Sequence, residues 1–123
     1  MKHNPVVWFE IYVQDMYRAR AFYQSVLGVT LEPLEAGDIE MFAFPMDASA
    51  SGTGGSLIRV PGVASGGTGT MVYFNCEDCG VEEGRVVDAG GSVERPKMSI
   101  GEYGFVSVIK DPDGNLFGLH SLS

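Results

Sequence analysis

Glu10 is the residue whose neighbours best equip it for chemistry. It lies in residues 6–13, VVWFEIYV, where one alternate set is Val7, Phe9, Ile11 and Val13 and the other is Val6, Trp8, Glu10 and Tyr12. Period-two alternation gives a strand with two unlike faces. The first set can press on a packed layer. The second places a carboxylate between two large rings, as a concave binding surface does. Partly desolvated there, Glu10 suits a general base or an anchor for a ligand amine or hydroxyl. The plainer reading is a pair with an arginine such as Arg59, or a rim position in solvent. His120 is the second candidate, two residues beyond Gly118 on one strand face. It could give or take a proton near neutral pH, or serve as a hydrogen-bonded packing residue. Cys76, Glu77, Asp78 and Cys79 form a C-x-x-C motif. A helix start can favour a thiolate, but two intervening acids oppose one, and no thioredoxin-like run of strands surrounds it. The cysteines read as incidental, and His3 as a spectator.

These residues need elements to hold them. After the first strand, Asp15 stands at an N-cap position, Ala19, Phe22, Tyr23, Val26 and Leu27 follow at helical spacing, and Gly28 supplies a stop. Residues 29–35 and 39–46 read as a hairpin turned by Ala36, Gly37 and Asp38. Residues 47–55, rich in Ala, Ser, Gly and Thr, read as a mobile loop, either a lid or a connection. A fourth strand is expected over 56–60, and VASGGTG at 63–69 is the candidate linker. The opening pattern then returns: a strand over 70–76, a cap at Asp78 and terminal glycines at Gly90 and Gly91. Asp15 to Asp78 and Gly28 to Gly91 are each 63 residues apart, the mark of a duplicated unit. Gly84 weakens the second helix. Strands over 92–98, 103–110 and 116–122 complete the second half, the last two joined by the turn Asp111, Pro112, Asp113, Gly114, Asn115, whose carboxylates need no metal to explain them. Each half is strand, helix, strand, strand, strand.

Composition narrows the function. A chain of 123 residues, 45% hydrophobic, suits one domain: module 1 over about 5–62 and module 2 over about 70–123. Sixteen acidic against eight basic residues give a net charge of −8, which repels nucleic acid and anionic membranes. Neither is an expected partner. There is no long apolar span, no basic-then-apolar leader, and two cysteines make no disulfide framework, so a cytoplasmic protein is expected.

The run VQDMYRARAFYQSVLGV, with its D, FY and LG, and the late run DPDGNLFGL resemble the vicinal oxygen chelate superfamily of glyoxalases, bleomycin-resistance proteins and extradiol dioxygenases. The resemblance covers nearly the whole chain. It implies an α+β fold in which two βαβββ modules form a cupped, barrel-like mixed sheet with helices outside, often as a homodimer. In the metal enzymes of that family, strands of both modules supply His, Glu or Gln to a divalent ion. By the family's spacing those positions fall here on Trp8, Met71, Gly118, and Ser56 or Ile58. Indole, thioether and glycine do not bind such an ion, so no metal and no cofactor are expected.

What the resemblance leaves is a cup. Strand phase lines it with Trp8, Glu10, Tyr12, Met71, Tyr73, Asn75, Gly118 and His120, aromatic walls with a few polar groups that suit a small, flat, partly apolar ligand. The same rings could instead be core filling. Three functions remain: small-molecule binding at a dimer interface; a lyase, isomerase or dioxygenase-related enzyme, metal-free with Glu10 and His120 as catalytic groups or using another metal site; or a non-catalytic assembly protein.

Overall fold

A computed structural model describes residues 3–50, 52–67, 69–110, 112 and 114–123. Asp111 and Asp113, the carboxylates of the expected turn, lie outside the described residues, as do Ser51 of the expected loop and Thr68 of the expected linker. The fold is α+β and divides into two compact units, Trp8–Met71 and Val72–Ser123, the latter joined by the residues up to Val7.

In the first unit, β1 (Val6–Tyr12) leads into α1 (Met16–Leu27), followed by β2 (Glu32–Pro33), β3 (Glu40–Ala43) and β4 (Gly54–Arg59). The helix begins where Asp15 accepts a hydrogen bond from the Arg18 amide at 3.0 Å and ends at Gly28, whose φ of 66° places it in the left-handed region that favours glycine. β1 runs parallel to β4, β4 antiparallel to β3, and β3 antiparallel to β2. Met16, Leu31 and Leu57 form the core under α1, joined by Ile11, Val13, Ala19 and Tyr23. The apolar stripe expected on α1 is therefore narrower. Ala19 and Tyr23 share the inner line with Met16, whereas Phe22, Val26 and Leu27 are more than half exposed, because the sheet covers only part of so broad a stripe.

The second unit repeats the plan with β5 (Thr70–Asn75), α2 (Cys79–Glu83), β6 (Ser92–Ser99), β7 (Phe105–Lys110) and β8 (Leu116–Ser121). Here too the first strand runs parallel to the last, and the middle pairs are antiparallel. Each unit is thus a βαβββ module. Cys76, Cys79, Ile109 and Leu119 form the second core, with Phe74, Val86 and Phe117 against it. The expected helix from Asp78 to Gly90 shrinks to five residues. Beyond Gly84 the chain makes turns such as Arg85 N–H to the Glu82 carbonyl and Val86 N–H to that of Glu83.

One further expectation changes. Gly54 and Gly55 do not belong to the 47–55 loop but begin β4, where Gly54 pairs with Trp8 and Gly55 with Phe9. At the two ends of the candidate linker, Gln14 Nε2 donates to the Val63 carbonyl at 3.0 Å and the Tyr12 amide to that of Gly69 at 2.6 Å. Among the described residues, no helix is long and apolar enough to cross a membrane.

Candidate functional site

Each module packs one sheet face on its helix, and among the described residues no helix of the same module covers the other face. Ile11 and Leu57 enter the first core, so the adjacent positions in register, Trp8, Glu10 and Tyr12 on β1 with Gly54, Ser56 and Ile58 on β4, occupy the opposite face. Antiparallel pairing adds Met41 opposite Ile58 and Ala43 opposite Ser56. Glu10 is only 6% exposed, and its carboxylate accepts a hydrogen bond from the Tyr12 hydroxyl. Burial, together with the charge and hydrogen bond of Glu10, pushes the Tyr12 phenol up to about 12. Arg59 is on the alternate set, donating from Nε to the Gln14 carbonyl at 3.0 Å and pairing with Glu40 at 3.4 Å.

Beside Glu10, Trp8 faces Gly54. The indole Cζ3 lies 3.2 Å from where a Cβ on Gly54 would stand, and the Met46 side chain packs on the same bare backbone. Met71, at the end of this unit, is buried.

In the second module Tyr73 pairs with Gly118 and Asn75 with His120, on the face away from Phe74 and Leu119. The Tyr73 ring occupies the place a Gly118 Cβ would take. His120 Nε2 donates to the Tyr103 carbonyl at 2.6 Å, and its Nδ1 is buried with no hydrogen-bond partner among the described residues. Glu10 belongs to the first unit and His120 to the second. Cys76 and Cys79 are both free and buried in the core; burial, then the nearby Glu82, pushes the Cys76 thiol up to about 11.

The residues at the family's metal positions do not fit a divalent ion. Trp8 spreads over Gly54, Gly118 is filled by Tyr73, Met71 offers a thioether, and Ser56 offers one neutral hydroxyl. Among the described residues, no three His, Cys, Asp or Glu side chains gather as a metal site would need.

A cleft of about 390 Å³ opens at the end of β1 beside the first turn of α1, with Tyr12, Gln14, Arg18, Tyr23, Gly66 and Gly69 in its walls. Sequence reasoning did not find Gln14 or Arg18. The only local signal was a glycine-rich run, read as a linker; that it folds back on β1 is a long-range fact.

The family model for the Glyoxalase/Bleomycin resistance protein/Dioxygenase superfamily matches residues 6–119. Two curated relatives, the CFP32 proteins of Mycobacterium bovis and Mycobacterium tuberculosis, provisionally named glyoxylases, are 26% identical over 114 residues, which is 93% of this chain and 42% of each relative. The chain therefore spans about two fifths of the length of those relatives. Among solved structures, methylmalonyl-CoA epimerase from Mycobacterium tuberculosis aligns with a TM-score of 0.70 at 18% identity, over 97% of this chain and 88% of that one. A variant of the Streptomyces coelicolor methylmalonyl-CoA epimerase, in complex with 2-nitronate-propionyl-CoA, gives 0.67 at 16% identity, over 96% of each chain. A superfamily member from Vibrio splendidus 12B01 gives 0.63 at 22%, over 94% of this chain and 97% of that one. At these identities the likeness is one of fold.

Proposed function

Because the chain belongs to the glyoxalase/bleomycin resistance protein/dioxygenase superfamily, we propose that it works on the superfamily's scaffold without the superfamily's metal, binding a small, partly aromatic or polar organic molecule. The observation that carries this reading is Glu10, a carboxylate 6% exposed between two aromatic residues and hydrogen-bonded by Tyr12. A carboxylate is costly to bury, and its place on this strand face beside Trp8 and Tyr12 supports a part in ligand binding. Trp8, Glu10, Tyr12 and Met71 are the proposed ligand-binding residues of the first module, and Tyr73, Asn75, Gly118 and His120 those of the second. The test is a thermal-shift and fluorescence screen against small aromatic compounds with a chelator present. Saturable binding that Glu10→Gln weakens supports the reading; ligands that bind only after a divalent ion is added overturn it.

Glu10 also favours a second reading, a metal-free lyase or isomerase with this carboxylate as general base, since it is buried and held in place by a neighbouring hydroxyl. Turnover abolished in Glu10→Gln, with binding retained, marks that outcome. We extend the proposal to a homodimer, as the family resemblance implies, which light scattering would show as twice the 13.2 kDa chain mass. A reducing, cytoplasmic setting completes it, supported by two unpaired thiols.

A further inference from the structure

Ser56 bears on what the ligand is. It stands opposite Glu10 in the β1–β4 register, has no exposed surface, and its Oγ has no hydrogen-bond partner among the described residues. A buried hydroxyl left unbonded keeps its desolvation cost, so it marks a place where a partner belongs. Neighbouring strands lie about 4.8 Å apart, so Ser56 and Glu10 are adjacent positions on the helix-free face. One step of about 7 Å along the strands, the same face carries Trp8 and bare Gly54. Tyr12 flanks Glu10 on the other side with its hydroxyl already given to the carboxylate. The block therefore offers one acid, one unsatisfied hydroxyl and one indole.

An anion meets no positive charge on this face of the first module, and Glu10 repels it. Met41, Ala43, Trp8, Glu10, Tyr12, Gly54, Ser56 and Ile58 include no basic residue, and Arg59 is turned away toward Gln14 and Glu40. A protonated amine answers every feature: it donates to a carboxylate and to a hydroxyl oxygen, and its charge is attracted to an indole. The net charge of −8 draws cations toward the protein. Met46, packed with Trp8 on Gly54 and 57% exposed, is the part of the cover a ligand can displace.

We propose that the ligand is an organic amine in its ammonium form, carried on a flat apolar body, with its nitrogen held by Glu10 and Ser56 beside Trp8. This rests on the reading of the helix-free face as a ligand site. Trp8 is the chain's single tryptophan, so its emission reports binding directly. The experiment titrates the protein at neutral pH with 2-phenylethylamine, with 2-phenylethanol of similar shape, and with 3-phenylpropionate. The amine is expected to bind at least about tenfold tighter than the alcohol, with no saturable signal from the carboxylate. Ser56→Ala should weaken the amine several-fold, and Glu10→Gln should reduce it to the level of the alcohol. If the variants fail to fold, the three probes on the unaltered chain decide. Equal binding of amine and alcohol, or tighter binding of the carboxylate, overturns the ammonium assignment and leaves the ligand-site reading standing. No saturable signal from any probe at millimolar concentration overturns both.

Discussion

The indole of Trp8 lies across Gly54, with its Cζ3 3.2 Å from the place where a Cβ would project. The two residues are register partners on parallel strands, so the ring is spread over a position that offers no side chain to lift it. Gly54→Ala should force Trp8 and Met46 aside, at a cost of about 1–3 kcal/mol in chemical denaturation, and shift the emission of the single tryptophan. An unchanged emission and midpoint would mean that the ring does not rest there.

Tyr73 and Gly118 repeat the arrangement in the second module, with the ring filling the Cβ place more completely. Gly118→Glu, which restores a carboxylate at the family's metal position, should therefore unfold or severely destabilise the protein rather than create a metal site. Calorimetry with and without manganese checks this; a stable variant that gains manganese-dependent stabilisation would contradict it.

Tyr12 should ionise well above the ordinary tyrosine range. Its folded value is about 12 against an ordinary 10.0, because burial and Glu10 both oppose the phenolate. Between these values the unfolded chain has lost a proton that the folded chain keeps. The stabilising contribution is thus complete below about pH 10 and is lost as the pH rises toward 12. Spectrophotometric titration of the wild type against Tyr12→Phe should show the high-pH component vanish, and Glu10→Gln should move it down.

How much of this was readable in advance depends on the range of the contact involved. Asp15 and Gly28 announced α1 because a capping side chain and a left-handed glycine act within one turn. The duplication and the motifs that flank it carried the fold, and strand phase set Trp8, Glu10 and Tyr12 on one face. By local sequence Gly54 and Gly55 suit a loop, because glycine is a poor strand former. They sit in β4 because the rings of Trp8 and Phe9 lie over them, a fact of pairing across more than forty residues. Phe22 and Val26 belong to the α1 stripe by spacing, but spacing does not say how wide a stripe the sheet will cover. Nothing local to Ser56 signalled an unbonded hydroxyl.

The C-x-x-C thiols should be chemically silent in the folded protein. Cys79 has no exposed surface, and the Cys76 thiol titrates near 11, pushed up first by burial and then by Glu82. At pH 8 a disulfide exchange reagent should react with the native protein at least about a hundredfold more slowly than with the protein in urea. Rapid labelling of either cysteine under native conditions would show that the second core opens readily.

The central claim is that this superfamily scaffold works without the superfamily's ion. It is tested most directly by elemental analysis of protein purified without a histidine tag, coupled to thermal melting with nickel, zinc, manganese, iron or a chelator. The donor set at Trp8, Ser56, Met71 and Gly118 predicts less than stoichiometric metal and a melting temperature indifferent to every addition. One bound ion per chain, with melting raised by that ion and lowered by the chelator, would contradict it.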